Sequence, residues 1–404
     1  LQKYHLLTEH LNFNLENFIV NHINDDKWKL TLKIKSNLSN TLNANLLVET
    51  VSNYKKALHK VPTLASKYCW LPTKSYEQAS SELTAFYKSK FENGNCILDL
   101  CGGLGVDDIA FAKQFEKVIS LDADEELNEI VKWNFKKLNI KNIERISIFA
   151  ETYIKTNNVV FDMVYMDADR RPGGNLKSFK LEDCTPNIIQ ILPTVKQFTN
   201  KLLIKLSPLV DIDYCKTVLQ NIIEIHIVAV KNEVKEILLF LNFNSMVEPK
   251  IKAINIINKD FIQQFEYIKI NNSEIANWVE PLYFFEPNAS IIKANLSANY
   301  AESLGLKMLA ENSHFFVGKS MSNNFMGRTF RIIHTCIFSK SYLTNYLKEN
   351  KINKANISRR NFPINEAEIA KQFNIKDGGE EYLFFTQNSI GEKLFFHCRK
   401  PVSL

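Results

Sequence analysis

Three of the twelve glycines in this 404-residue chain fall within four positions, at Gly102, Gly103 and Gly105. The apolar run Cys96-Ile97-Leu98 and the acid Asp99 precede them, and a helical pattern opens at Val106. Glycine reaches φ > 0 and lets a ligand approach the backbone closely. A strand that turns through such a loop into a helix offers free N–H groups to a ligand. The stretch therefore reads as the cradle of a nucleotide or nucleoside cofactor. Acids close the next two apolar runs as well: Asp122 follows residues 118–121 and Glu151 follows residues 146–149.

The pattern from Asp99 is D-x-C-G-G-x-G, whereas a dinucleotide fingerprint is G-x-G-x-x-G without an acid just before it. S-adenosyl-L-methionine has no pyrophosphate to place on a helix terminus, but it carries a sulfonium and an ammonium. A carboxylate at Asp99 suits those charges. Asp122, with Ala123 beside it, is placed to accept from both ribose hydroxyls, and Glu151 to meet the adenine amine. Cys101, Gly102, Gly103 and Gly105 supply the backbone. Ser80, Ser81 and Thr84 approach the methionine end from the preceding helix, and Ser81 is the expected contact. Any one of these acids or hydroxyls alone reads equally as a helix cap; the series with the glycines is what points to a methyl donor.

The acceptor side follows from where ligands bind in open α/β sheets, at the carboxyl ends of strands. Asp167-Ala168-Asp169-Arg170-Arg171 ends the fourth strand. The chain has only eight arginines against 42 lysines, so the doublet stands out. Guanidinium forks suit phosphates and base edges; pairing with Glu182 or Asp183 is the plainer alternative. Asp167, Arg170, Arg171 and Lys205 are the candidate catalytic residues. Lys205 would orient the acceptor or take its proton. Asp211 shares that region but would serve equally as a helix cap. Cys184 could add to a pyrimidine as a thiolate, although a free cysteine is more often buried packing.

These residues need a scaffold, and the periodicity provides one. Residues 1–90 read as helical, with residues 73–88 as one capped helix. From Cys96 strands and helices alternate: strands at 96–100, 118–121, 146–149, 161–166 and 202–206, with helices between them. A hairpin follows at 224–231 and 234–242. Strand–helix alternation gives a doubly wound parallel sheet, and the closing hairpin adds an antiparallel strand. The fold class is α/β: a seven-stranded, Rossmann-like class I methyltransferase domain with an N-terminal helical region and C-terminal α+β domains. The expected division is 1–75 helical, 76–246 methyltransferase, 247–333 mixed α+β and 334–404 a separate small α/β module. In that module Asp377-Gly378-Gly379 reads as a turn before the last two strands.

Composition narrows the class further. Apolar residues make up 45% of the chain, enough for real cores, and no run of 18 apolar residues marks a membrane span. The first 18 residues lack the layout of a signal peptide. Seven scattered cysteines show neither metal-ligand spacing nor an even disulfide framework. A cytoplasmic protein without metal or membrane attachment is the expectation. Formal charge is +5 over residues 1–90, −5 over 91–249 and +6 over 250–404. An acidic segment holding the glycine loop between two basic ones suits flanking modules that grip a polyanion; diffuse surface lysine is the alternative.

The stretches Glu77–Ala85, Asp99–Asp107, Asp167–Arg171, Leu181–Asn187, Lys205–Pro208, Gly327–Phe330 and Ser358–Pro363 carry a resemblance. The chain is similar to class I S-adenosylmethionine-dependent methyltransferases. More narrowly, it resembles the bacterial methyltransferases that have a ferredoxin-like domain and a C-terminal THUMP-like domain. That family's usual Asp-Pro-Ala-Arg-Arg is here Asp-Ala-Asp-Arg-Arg, so the loop loses its proline. The resemblance implies S-adenosyl-L-methionine as cofactor and, through the THUMP-like domain, RNA as partner, with Arg328, Arg359 and Arg360 as RNA contacts. The reading that follows is methylation of tRNA or rRNA by direct transfer. The alternatives are methylation of a small molecule or protein, and a non-catalytic RNA-binding protein that retains the fold.

Overall fold

A computed structural model describes residues 14–37, 42–170, 180–267, 281–322 and 324–401, the side chains of 35–37, 42–43 and 169–170 excepted. The chain divides into two compact units. One comprises residues 1–225, 236–249 and 258–260; the other comprises 226–235, 250–257 and 261–404.

In the first unit, short helices lead to β1 (Gly94–Asp99), β2 (Phe115–Asp122), β3 (Ile143–Ser147) and β4 (Met163–Asp167). The pair β5 (Asp169–Arg170) and β6 (Cys184–Thr185) forms a small ladder of its own. β7 (Lys201–Leu206), β8 (Ile222–Val230) and β9 (Glu233–Asn242) follow. β3, β2, β1, β4 and β7 are parallel neighbours, and β9 runs antiparallel to β7. Lys231 and Asn232, both at positive φ, make the tight β8–β9 turn. β10 (Lys250–Ile256) and β11 (Ile262–Glu266), whose residues fall in the second unit, complete the strand order β11-β10-β8-β9-β7-β4-β1-β2-β3. The expected seven-strand core is present, but the sheet has nine strands. The extra pair reads weakly because β11 alternates without a strong apolar face.

Strand interiors explain the layering. β4 is Met-Val-Tyr-Met and β7 is largely Leu-Leu-Ile; both are buried on both faces, as parallel strands are. The region before β1 packs on helix Glu125–Lys137. Trp70 meets Trp133 edge-on at 6.2 Å. The buried Asn134 amide accepts from Trp70 N at 2.9 Å and donates to Trp70 O at 3.0 Å.

Residues 73–88 are not one helix. Thr73–Gln78 and Glu82–Lys88 are separate, broken at Ala79 in extended conformation. Ser81 caps the second, accepting from Thr84 N at 3.2 Å. Ser80, in the break, and Lys88, at the end of the second helix, are both buried.

The second unit contains β12 (Tyr283–Pro287), β13 (Lys307–Met308), β14 (Phe316–Gly318), β15 (Gly327–Ile337), β16 (Lys354–Arg359), β17 (Lys376–Gln387) and β18 (Lys393–Arg399). They form one sheet in the order β13-β14-β12-β15-β18-β17-β16. The last module is therefore not separate. Its strands continue the ladder of β12–β15, and Phe284, Phe315, Phe330, Phe384 and Phe396 pack as one core. Gly378 and Gly379 lie inside β17, at positive φ, where the register with β16 shifts; they are a bulge, not a turn. Among the described residues no helix is long and apolar enough to cross a membrane.

Asn134→Ala would remove the two hydrogen bonds that this amide makes with the backbone of buried Trp70. The variant should lose about 2 to 4 kcal/mol of stability, read as a lower denaturation midpoint. A change under about 0.5 kcal/mol would mean that this bridge contributes little.

Candidate functional site

A cleft of about 470 Å³ opens at the carboxyl ends of β1, β2 and β4. Cys101, Gly102, Gly103 and Gly105 form its floor, Asp122, Ala123 and Asp124 one wall, and Ile148 to Glu151 another; Ser80, Asp107, Asp167 and Pro186 also line it.

The floor is fixed from below by one side chain. Arg145, on β3, is buried. Its Nη2 donates to Gly103 O at 2.6 Å, Nη1 to Asp108 Oδ2 at 3.1 Å and Ser120 Oγ at 2.9 Å, and Nε to Asn128 Oδ1 at 2.5 Å. Gly102 must be glycine, because a Cβ there would stand 2.0 Å from Arg145 Nη1 and 2.1 Å from Ser120 Oγ. A Cβ on Gly105, at φ +79°, would stand 2.5 Å from the Phe135 ring. Gly103 differs: at φ +48° its missing Cβ would approach nothing closer than Cys101 O at 4.0 Å. Two glycines thus answer to packing and one to the open cleft.

Asp122, at the end of β2, lines the cleft. Its Oδ2 accepts from Gly103 N at 3.0 Å and Oδ1 from Asp124 N at 2.9 Å, while Arg145 Nη2 lies 3.6 Å away. Its carboxylate is tied to the glycine loop and also lines the cleft. Asp124 caps helix Glu125–Lys137 through Leu127 N.

Asp99 is placed differently from the expectation. Its side chain is 1% exposed and lies under the loop, accepting from Cys101 N at 2.8 Å, and it does not line the cleft. Burial, with the Asp108 carboxylate beside it, pushes the Asp99 carboxyl well above the usual carboxylate range. Asp99 is a buried loop brace whose neutral form is favoured, and not a free anion facing the cleft.

Asp107, the second residue of helix Val106–Phe111, is the carboxylate that faces the cleft from this side. Its Oδ2 accepts from Ser80 Oγ at 2.8 Å and Tyr165 Oη at 3.0 Å; its Oδ1 lies 3.1 Å from Lys88 Nζ. Lys88 is fully buried and also donates to Ser80 Oγ at 2.8 Å and Glu236 Oε2 at 2.9 Å. Burial lowers the Lys88 pKa, but Asp107 and Glu236 outweigh it and hold the ammonium above its ordinary value.

Asp167 lines the cleft, and Lys205 does not; the lysine donates to both Asp167 oxygens, at 2.8 and 2.7 Å. Burial disfavours the Lys205 charge, yet the Asp167 pair raises its pKa well above that of an ordinary lysine. A lysine so held stays protonated near neutral pH and cannot take a proton, so its role is to orient Asp167. Ser81 is likewise set apart: it caps its helix, and Ser80 is the hydroxyl in the cleft. Asp211 caps helix Ile212–Val218, accepting from Asp213 N and Tyr214 N. Cys184 is buried, with Sγ 3.7 Å from Lys180 O, and does not line the cleft. Glu182 accepts from Tyr214 Oη at 2.6 Å. The backbone of Arg170 is in β5; its side chain and all of Arg171 lie outside the described residues.

In the second unit, Arg328 Nε donates to Glu286 Oε2 at 2.6 Å and Arg360 Nη2 to Glu286 Oε1 at 3.1 Å. Arg360 also donates to His314 O and covers the Phe315 ring at 4.5 Å. Arg359 donates to Phe362 O at 2.9 Å. Arg360 is spent on the fold, and Arg328, half exposed, keeps only its outer edge for a ligand.

Comparison with known proteins fits this layout. Residues 94–286 match the model of RNA cap guanine-N2 methyltransferases, 283–325 a ferredoxin-like domain and 327–400 a THUMP domain-like model. A solved methyltransferase candidate from Porphyromonas gingivalis W83 is 26% identical, with a TM-score of 0.82 over 98% of this chain and 99% of that one. The chain is a methyltransferase-fold protein with ferredoxin-like and THUMP-like domains. M. capricolum TrmK, solved with S-adenosyl-homocysteine, is 15% identical over 42% of this chain and 71% of its own, with a TM-score of 0.32. A Streptococcus mutans methyltransferase candidate, also solved with that product, is 16% identical over 40% of this chain and 96% of its own, with a TM-score of 0.30. No curated protein matches significantly. The resemblance read from the motifs therefore stands.

Three site residues carry no local signal. Lys88 looks like a solvated helix lysine, Glu236 like an edge charge on a hairpin, and Arg145 like one more surface arginine; their burial is set by strands far away in sequence. Asp107 was within reach, as a second acid one residue into the helix.

The Asp99 assignment gives a pH test. A carboxyl whose folded pKa is raised contributes its full stability below about pH 4, the unfolded value, and loses it as pH rises toward the folded value. Asp99→Asn should match the wild type near pH 4 and gain on it above, by up to about 1.4 kcal/mol per pH unit, in urea denaturation across pH. A constant difference would refute the raised Asp99 carboxyl.

Proposed function

We propose that this protein is an S-adenosyl-L-methionine-dependent methyltransferase acting on RNA, tRNA or rRNA, by direct transfer. The observation that carries the reading is the cleft itself: an open, left-handed Gly103 between the Asp122 carboxylate and the Asp107–Ser80 pair, at the strand ends where an α/β sheet binds its ligand. The residues fit the donor. Asp122 has the chemistry for two ribose hydroxyls. Ala123, Ile148 and Phe149 offer apolar surface beside Glu151 for a purine. Asp107, Asp167 and the N–H and C=O groups of the glycine loop suit an ammonium and a sulfonium.

S-adenosyl-L-methionine supplies an electrophilic methyl on a sulfonium, and its departure leaves a neutral thioether. The chain's own part is positioning and exclusion of water. Lys205 fixes the Asp167 carboxylate at the acceptor side. With Lys205 protonated, Asp167 is the acceptor-side group able to accept a hydrogen bond from an incoming N–H or O–H. Arg170 and Arg171 follow in sequence and would meet phosphate or base edges. RNA as substrate is supported by the match to RNA cap guanine-N2 methyltransferases and by the +6 charge of residues 250–404. Phosphate contacts would position the RNA and the cleft would select the base. A cytoplasmic location agrees with such a substrate.

The test is incubation of the full chain with methyl-labelled donor and total RNA from cells lacking the protein, followed by mass spectrometry of nucleosides. Label should enter one methylated nucleoside, and Asp167→Ala should reduce it at least about 100-fold. Label in protein or small molecules alone would exclude RNA as the substrate.

A further inference from the structure

Helix Lys340–Glu349 of the second unit is seated by Leu343 and Leu347, both buried in the core beneath it. Tyr342 and Tyr346 form a second line on this helix, at i and i+4, and both stack with His334 of β15. Tyr346 lies 4.7 Å from the imidazole at 19° between planes, and Tyr342 5.8 Å at 27°. The two phenol rings are 6.2 Å apart at 17°. Three rings from two elements thus share nearly one orientation. Tyr342 is 44% exposed, while His334 and Tyr346 are half-buried.

The hydroxyls hold the rings in place. Tyr342 Oη lies 2.8 Å from His334 Nε2, and Tyr346 Oη 2.7 Å from Nδ1 of the buried His397. His397 Nε2 meets Glu381 Oε2 at 2.6 Å, and Arg399 donates to the same carboxylate through Nε and Nη2. The leucines alone would seat the helix; the bonded rings add a surface ordered in advance. Such a surface takes a flat ligand with little further loss of side-chain freedom.

Cations adjoin it. His397 and Arg399 are two positions apart on β18 and so share a face, and Arg331 stands opposite Arg399 in the β15–β18 register. Arg331 is exposed and has no ion pair among the described residues. Arg399 gives one edge to Glu381, and its side chain is 55% exposed. Like charges directly opposite in a sheet are unfavourable, and an anion here relieves them. Arg331 is three residues from His334, about 10 Å along the strand, a span that a nucleotide or two of extended chain covers. Arg328 and Arg360, by contrast, answer to Glu286.

We propose that Tyr342, His334 and Tyr346 form a stacking surface for an unpaired base of single-stranded RNA, with Arg331 and the outer edge of Arg399 taking its phosphates. The proposal rests on the reading that RNA is the substrate, and it names where the second unit holds that RNA. Every base has a π-face, so the surface grips without reading sequence. A base inside a duplex keeps its faces stacked, so the surface selects single strands.

Fluorescence anisotropy with the full chain tests this, using labelled probes of about ten nucleotides: oligoadenylate, an abasic strand of equal charge and an RNA duplex. Oligoadenylate should bind about tenfold tighter than the abasic strand. Tyr342→Ala should weaken oligoadenylate about fivefold or more and leave the other two probes unchanged, while Tyr342→Phe, which keeps the ring, stays within about twofold. Arg331→Ala should weaken oligoadenylate and the abasic strand alike and lower the salt slope by about one. Wild-type affinity for oligoadenylate in Tyr342→Ala, or an equal loss for the abasic strand, would overturn the proposal; methylation of RNA by the wild type would then leave the substrate reading standing. Failure of the wild type both to bind and to methylate RNA would overturn both. Arg331→Ala alters an exposed side chain, so an unchanged affinity there overturns the proposal even where Tyr342→Ala fails to fold.

Discussion

The Arg145 guanidinium is the constraint on which the site depends. A buried cation must have its charge and its donors answered within the protein. Arg145 finds Asp108, Ser120, Asn128 and the Gly103 carbonyl, with Asp122 close by. Those partners come from β2, from helices Val106–Phe111 and Glu125–Lys137, and from the glycine loop. Ion pairing here is not mainly a source of stability. It fixes the loop carbonyl and the Asp122 carboxylate in one frame, so that the open position at Gly103 faces a defined wall. Gly102 is glycine for the same reason: any side chain would displace the guanidinium.

A second buried cation works from the opposite side. Lys88 draws Ser80, Asp107 and Glu236 together from the break between two short helices, the first turn of a third helix and β9. The two hubs divide the labour. Arg145 sets one side through the loop and Asp122, and Lys88 sets the side where Asp107 and Asp167 gather. The acids that the cleft presents are thus held by interactions beneath it, which leaves their outer edges for the ligand.

Much of this was legible in the sequence. The parallel sheet follows from strand–helix alternation, the loop from clustered glycines, and Asp122 and Asp167 from acids that end apolar strands. Those are local patterns with short-range causes. What was not legible depends on long-range packing. Asp99 reads as a free anion until its burial beside Asp108 is known. Lys205 reads as a base until both Asp167 oxygens are found on it. Residues 73–88 have helical spacing throughout, yet the chain leaves the helix at Ala79 and restarts from the Ser81 cap. Arg328 and Arg360 read as RNA contacts because their shared carboxylate, Glu286, is 42 and 74 positions away.

The central claim is that the Arg145-braced loop receives the methyl donor. Hydrogen exchange of the full chain with and without S-adenosyl-L-methionine tests it most directly. The account predicts slower exchange at the amides of residues 101–105 and 148–151, with the strands of the second unit unchanged. Protection confined to other segments, or none at saturating donor, would contradict it.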